Sequence, residues 1–228
     1  MFLYIIRHGE PDYTTDTLTA LGRRQAEALS ERFESIKFDK IFSSPMGRAR
    51  QTASPTCEKQ QKDIEILPWL SEGPAFDAMK IDIGGKTGWW YEVLKNTQYL
   101  NCEGDQIYYN KRSRDFYLST VTCFDNFLSD LGYQKCDAGY HVTALNDDKV
   151  AVFCHAGISR IILSYALSIP FNTFCASFWI PHTGVTVLHF EKTGDNLTAP
   201  RCFMFSDLSH LYSPEGINYE FFGAYIDI

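Results

Sequence analysis

Hydrophobic and polar positions along the chain alternate between two rhythms, one of strands and one of helices. Phe2 to Ile6 is an almost unbroken apolar run, which reads as a buried strand, and it ends in Arg7-His8-Gly9-Glu10. Thr19 is placed to cap a helix in which Leu21, Ala28, Leu29 and Phe33 form one stripe, running to about Glu34. Lys40 to Ser43 is a short strand that opens into Ser44-Pro45-Met46-Gly47-Arg48. Ser-Pro followed by helix formers reads as a helix start with Pro in or near the first turn, and that helix runs to about Lys59. Glu65 to Leu67 supplies a third strand. Strand–helix–strand–helix–strand predicts a largely parallel sheet covered by helices.

The rhythm changes between about residues 71 and 110. Gly73, Phe76, Gly84, Gly85, Gly88, Trp89, Trp90, Tyr91, Tyr99, Tyr108 and Tyr109 crowd a stretch with weak periodicity. It reads as an insertion lying over the site, with a short helix over Trp89 to Leu94. Phe116, Val121, Phe124, Phe127, Leu128 and Leu131 then form a helical face that Gly132 ends. A hairpin is expected around Asp137-Ala138-Gly139. Lys149 to Phe153 is the second strong buried strand, followed by Cys154-His155-Ala156-Gly157 and a helix from Ile161 to about Leu167. Phe171 to Cys175 reads as a short helix. Gly184 to Phe190 alternates as a strand whose partner is Arg201 to Phe205. The fold class expected is α/β, a three-layer α/β/α sandwich with a mostly parallel central sheet and a small insertion over the active site. One domain is expected over 1–228, with a substrate-facing insertion at about 71–110.

Composition narrows the function classes. The chain has 228 residues, 45% hydrophobic and 21% charged, which is the make-up of a globular protein. Its net charge of −7 gives no basic footprint for nucleic acid. An acidic protein that binds an anion must gather its positive charge locally. No signal peptide is read at Met1, no apolar run is long enough for a membrane span, and the seven cysteines are scattered without a CxxC. A cytoplasmic free-thiol protein is expected, with no metal and no cofactor.

Two loops share one plan, an apolar strand followed by His and then Gly: Ile6-Arg7-His8-Gly9 and Phe153-Cys154-His155-Ala156-Gly157. In an open parallel sheet, ligands bind beyond the carboxyl ends of the strands. If the two strands are neighbours, both imidazoles emerge at one edge. Arg48 joins them from the first turn of a helix whose N-terminus favours an anion. Two His and two Arg converging on one point make a phosphoryl pocket. A neutral imidazole at His8 is a nucleophile toward phosphorus, and Arg7 and Arg48 can each fork onto phosphate oxygens. A protonated His155 adds a donor. The leaving alkoxide needs a carboxylic acid, for which Glu72 is best placed and Glu10 and Asp77 less so. Arg50, His141, His189 and His210 read as structural or surface residues. Cys154 reads as buried packing, because adjacent strand residues point to opposite sides.

Arg7-His8-Gly9, Leu18-Thr19-x-x-Gly22-x-x-Gln25-Ala26, Ser44-x-x-x-Arg48-Ala49-x-Gln51-Thr52-Ala53 and His155-Ala156-Gly157, in that order, closely resemble the histidine phosphatase superfamily, the phosphoglycerate-mutase-like proteins. The resemblance implies His8 as phosphate acceptor and Arg7, Arg48 and His155 as the phosphate pocket. It puts Glu72 where the family's proton donor usually lies, in a looser Leu70-Ser71-Glu72-Gly73 setting. Glu103-Gly104-Asp105 resembles a degraded Gly-Glu-Ser stretch. His182 stands where such proteins often carry Asn, at the phosphate or in the pocket wall.

The function expected is hydrolysis of a small organic phosphomonoester through a phosphohistidine, by a metal-independent histidine acid phosphatase-type phosphomonoesterase. The alternatives are a phosphoglycerate mutase-type phosphotransferase and a non-catalytic phosphate-binding protein of the same fold. Mutases of the family carry a longer segment after Arg-His-Gly, with an Arg-Phe-x-Gly-Trp-x-Asp pattern. Here only the nine residues Gly9 to Thr17 separate His8 from Leu18, and that pattern is absent, which favours hydrolysis. The partner expected is a small phosphate ester, with an apolar or planar part suggested by the aromatic insertion. No nucleic-acid or membrane partner is expected. Oligomeric state is left open, a homodimer included.

Overall fold

The computed structural model describes residues 1–73, 111–137, 139–191 and 196–212, and the backbone alone of 80–83, 86–89, 213 and 216–217. The insertion's other residues, including Asp77 and Glu103-Gly104-Asp105, lie outside the described residues.

In chain order the elements begin with β1 (Phe2–Arg7), β2 (Pro11–Asp12), β3 (Thr17–Leu18), α1 (Ala20–Arg32), β4 (Lys40–Ser43), α2 (Gly47–Gln60) and β5 (Glu65–Ile66). The backbone of the insertion shows β6 (Lys80–Ile83) and β7 (Lys86–Trp89), and α3 (Lys111–Asp130) follows. Then come β8 (Tyr133–Cys136), β9 (Gly139–Val142), β10 (Lys149–Cys154), α4 (Ala156–Ala166), α5 (Phe171–Ser177) and β11 (Val185–His189). The described chain closes with β12 (Leu197–Thr198), β13 (Arg201–Asp207), β14 (Tyr212–Ser213) and β15 (Gly216–Ile217).

The central sheet has the order β13-β11-β1-β10-β4-β5. The β1–β10, β10–β4 and β4–β5 pairs are parallel, while β11 and β13 close one edge antiparallel. Side chains of the two central strands alternate between two cores. Leu3 and Ile5 of β1, with Val150, Val152 and Cys154 of β10, face a cluster built with α3 and α4. Ile6, Ala151 and Phe153 face the other, with Leu29 and Phe33 from the α1 side and Ala53 and Cys57 of α2. That alternation is the physical content of the three-layer sandwich. It explains why β1 and β10 read as continuous apolar runs: both faces are buried.

Three boundaries differ from the sequence reading. Thr19 does cap α1, its hydroxyl accepting from the Gly22 N–H at 3.0 Å. Pro45, however, lies before α2, whose N-cap is Met46. The helix expected from Ile161 starts at Ala156, directly after His155. Trp89 ends a β-strand instead of opening a helix. The hairpin at residues 137–139 is present as β8–β9. Among the described residues no helix is long and apolar enough to cross a membrane.

Candidate active site

The carboxyl ends of β1, β10 and β4 are laced together. The His8 N–H donates to the Cys154 carbonyl at 2.9 Å, and the Ser44 N–H donates to the Phe153 carbonyl at 2.9 Å. His8, Arg48 and His155 therefore meet at one sheet edge, as parallel neighbours require. His8 and Arg48 are 1% exposed and His155 is 0% exposed, so the three meet out of solvent.

The loop after β1 owes its shape to two glycines and the residues they touch. A Cβ on Gly22 would overlap the Glu10 carbonyl, and one on Gly9 would press on the Gly22 carbonyl. Only glycine lets these segments approach so closely. The Glu10 N–H donates to Gln25 Oε1 at 2.7 Å, so the Leu-Thr-x-x-Gly-x-x-Gln stretch is scaffolding for the first loop. The Gly9 N–H donates to Thr52 Oγ1 at 2.9 Å. Thr52 in turn donates to the Arg48 carbonyl at 2.7 Å, tying the loop to α2.

His8 is set up as a base through Nε2. Its Nδ1–H donates to the Gly9 carbonyl at 2.7 Å, which leaves Nε2 unprotonated. Arg48 Nε donates to that Nε2 at 3.2 Å. Burial first, then the positive neighbours, hold the His8 pKa well below the usual histidine range, so the ring is neutral. His155 lies at a ring-centre distance of 5.0 Å from His8. Its Nε2 pairs with Ser44 Oγ at 2.8 Å. Its Nδ1 is buried with no hydrogen-bond partner among the described residues and sits 3.7 Å from Glu72 Oε2. Burial and the two arginines push His155 down as well, so without a bound anion it is neutral, contrary to the protonated donor considered from sequence.

Arg7 is clamped on two sides. Nη1 donates to the Ile180 carbonyl at 2.6 Å and Nη2 donates to His182 Nε2 at 2.9 Å. The His182 ring lies 5.6 Å from that of His8, and burial pushes its pKa down to about 2. With Nε2 accepting from Arg7, His182 lines the pocket and orients Arg7. Glu72 is 7% exposed. Its Oε1 accepts the Gly157 N–H at 2.7 Å, and its Oε2 lies 3.6 Å from Arg48 Nη2. Burial raises its pKa above the ordinary carboxylate range, against the pull of that N–H and the arginines. All six residues singled out from sequence, Arg7, His8, Arg48, Glu72, His155 and His182, are thus gathered in one place.

The sequence spacing shows no metal-ligand pattern, yet the fold brings ligand atoms of His8, Glu72 and His155 within 4.8 Å of one another. Two guanidinium groups flank that cluster, which suits an anion better than a cation.

Residues 3–104 match the family model described as histidine phosphatase superfamily (branch 1). Over those 102 of 228 residues the chain is similar to the histidine phosphatase superfamily. Over 79 residues the chain is 34% identical to a protein named probable phosphoglycerate mutase GpmB of Proteus mirabilis (strain HI4320), covering 31% of the chain. The chain spans only 37% of that relative's length. It is 24% identical over 230 residues to a probable phosphatase of Schizosaccharomyces pombe, covering 94% of the chain and 97% of the relative. A crystal structure of phosphoserine phosphatase from Entamoeba histolytica, in complex with 3-phosphoglyceric acid, superposes with a TM-score of 0.61 at 22% identity. It covers 92% of this chain and 98% of that one, which establishes a shared fold.

Sequence reading passed over two residues of this site. Asp16 pairs with Arg48 at 2.5 Å, and the Tyr13 ring lies 5.4 Å from the Arg48 guanidinium carbon. Both belong to the short segment between Gly9 and Leu18, which was weighed there for its length alone. Asp16, the last of the segment's three acids ahead of Leu18-Thr19, was the available signal.

Proposed function

We propose that the protein is a phosphatase that hydrolyses a small organic phosphomonoester through a phosphohistidine at His8. The observation that carries this reading is the neutral His8 ring, its Nδ1–H tied to Gly9 and its Nε2 lone pair facing the Arg48 side of the pocket. A phosphoryl group seated against Arg7 and Arg48 brings phosphorus to that lone pair. Nε2 attacks phosphorus, the bond to the leaving oxygen breaks, and the Glu72 carboxylic acid supplies the leaving alkoxide with a proton. Water then attacks the phosphohistidine. Glu72, now a carboxylate, takes a proton from the water, the P–N bond breaks, and inorganic phosphate leaves with the enzyme restored. Arg7 and Arg48 offset charge on the equatorial oxygens, and the open Nδ1 of His155 gives a further polar contact. The arginines thus fill the charge role that a metal plays elsewhere, and the reading calls for no cofactor.

The short hairpin of β2 and β3 supports hydrolysis over a mutase reaction, because it holds the whole span between the first two motifs. The deciding experiment compares phosphate release from a panel of phosphomonoesters with interconversion of 2- and 3-phosphoglycerate. Phosphate release that His8→Ala abolishes is expected. Faster interconversion, dependent on a bisphosphorylated activator, would sink the reading in favour of a mutase. Absence of any turnover would leave a phosphate-binding protein of the same fold.

A further inference from the structure

Asp16 stands outside the four ordered motifs, near the turn of the β2–β3 hairpin, with its side chain 41% exposed. Its carboxylate is nevertheless engaged at both oxygens. Oδ1 accepts from Arg48 Nη1 at 2.5 Å, and Oδ2 accepts from the Gly47 N–H at 2.7 Å. Gly47 is the first residue of α2, and the N-cap Met46 makes no side-chain bond of its own. Asp16 therefore caps this helix from a distant segment and supplies the negative charge that a helix N-terminus favours.

The backbone is committed to that contact. Asp16 has φ of 52°, in the left-handed region that is uncommon outside glycine. A Cβ on Gly47 would overlap the Asp16 carbonyl oxygen. A second tie holds the hairpin to α2 one turn on, where the Leu18 N–H donates to Gln51 Oε1 at 2.7 Å. The hairpin is stitched to the helix that carries Arg48.

The division of the guanidinium decides what Asp16 does. Nε and Nη2 of Arg48 face His8 and Glu72, at 3.2 Å and 3.6 Å. A phosphoryl group must come to that side to meet His8 Nε2. Asp16 takes the remaining nitrogen, Nη1. A competing anion would occupy the reactive edge; Asp16 leaves it clear. An arginine held by a fixed carboxylate has already lost rotamer freedom that it would otherwise surrender on binding substrate.

We propose that Asp16 is a positioning residue: it holds the Arg48 guanidinium with its Nε–Nη2 edge presented to the substrate's phosphoryl group, acting through Arg48 without touching substrate. The proposal rests on the phosphatase reading of the site. The experiment measures inorganic phosphate binding by calorimetry, and kcat and KM for an aryl phosphate, in the wild type, Asp16→Ala, Arg48→Lys and the double variant. Asp12→Ala serves as control, since Asp12 bonds within the hairpin, to Thr14.

Asp16→Ala is expected to weaken phosphate binding and kcat/KM by about tenfold or more, the weight of a charge-assisted hydrogen bond. In the Arg48→Lys background the same change is expected to add little, because coupled groups are not additive. Asp12→Ala is expected to leave both quantities unchanged. Tighter phosphate binding by Asp16→Ala would overturn the proposal and make Asp16 a competing anion. Full additivity with Arg48→Lys, or a lowered Tm with unchanged phosphate binding, would overturn it in favour of a purely structural cap. If Asp16→Ala does not fold, Asp16→Asn is measured against the same expectations. A wild type that binds phosphate without turnover removes the hydrolase reading and leaves the Asp16–Arg48 coupling measurable. A wild type that binds no phosphate overturns both.

Discussion

At the scale of single residues, the site is a set of opposed protonation states. Burial holds His8 neutral, which leaves Nε2 unprotonated, and the same burial holds Glu72 toward its protonated form. A nucleophile and an acid are thereby ready at one pH, as the two-step transfer requires. On the acid side, kcat/KM should fall only as His8 takes a proton, well below the usual histidine range. On the alkaline side it should fall as Glu72 loses its proton, above the usual carboxylate range. Glu72→Gln should erase the alkaline limb. It should lower kcat/KM by about 10²- to 10⁴-fold for an alkyl phosphate, the usual weight of general acid catalysis. For an aryl phosphate whose phenolate leaves unprotonated, the loss should be far smaller. Equal losses for both substrates would remove Glu72 from the role of proton donor.

The four ordered motifs made His8, Arg7, Arg48 and His155 legible in the sequence, because each sits where a strand ends or a helix starts. Asp16 was not legible in the same way. Its role depends on a hairpin crossing the start of α2, and nothing in local periodicity reports a contact between residues 16 and 48. The tie between the Gly9 N–H and Thr52 was hidden for the same reason: sequence shows that a glycine is present, not which neighbour claims its backbone.

At the scale of elements, β10 carries the most weight. Val150, Ala151, Val152, Phe153 and Cys154 are all buried, and β10 lies between β1 and β4. Truncating Phe153 to Ala should cost about 3–5 kcal/mol in denaturant unfolding, the usual loss for a buried aromatic. Phe203→Ala on edge strand β13, where the ring is 59% exposed, should cost well under 1 kcal/mol. Similar losses at the two positions would contradict the layering described for the sheet. Buried strands and amphipathic helices could be read from the chain because burial imposes a period on side-chain type. The start of α4 was misplaced because Ala156-Gly157 carries no such period and His155 caps the helix without a side-chain bond. The β6–β7 pair was missed because Lys86-Thr87-Gly88-Trp89 does not alternate polar with apolar, which left the alternating Lys80-Ile81-Asp82-Ile83 without a legible partner.

At the scale of the whole molecule, the cost of a buried histidine site should appear as acid sensitivity. Among the six histidines, His8 and His155 are held well below the normal range, His182 is pushed down to about 2 and His210 to about 3, each chiefly by burial. Above about pH 6.5 these groups are neutral in both folded and unfolded chains and stability is complete. Below it the unfolded chain binds protons that the folded one refuses. Each group then removes up to about 1.4 kcal/mol per pH unit. Glu72 and Asp125 act in the opposite direction, gaining stability as pH falls through their raised values, but they are two groups against four. Thermal unfolding should therefore show Tm declining from about pH 6.5 downward, and His210→Gln should shallow the decline. A flat Tm between pH 7 and 4.5 would contradict the burial assigned to these rings.

The most direct test of the central claim is to trap the phosphoenzyme. The protein would be mixed with a substrate phosphomonoester, quenched in alkali, where phosphohistidine survives, and mapped by mass spectrometry. The expected result is one phosphoryl group on His8, lost in acid and absent from His8→Ala. Turnover with no trapped phosphate, or phosphate on a residue other than His8, would contradict the account.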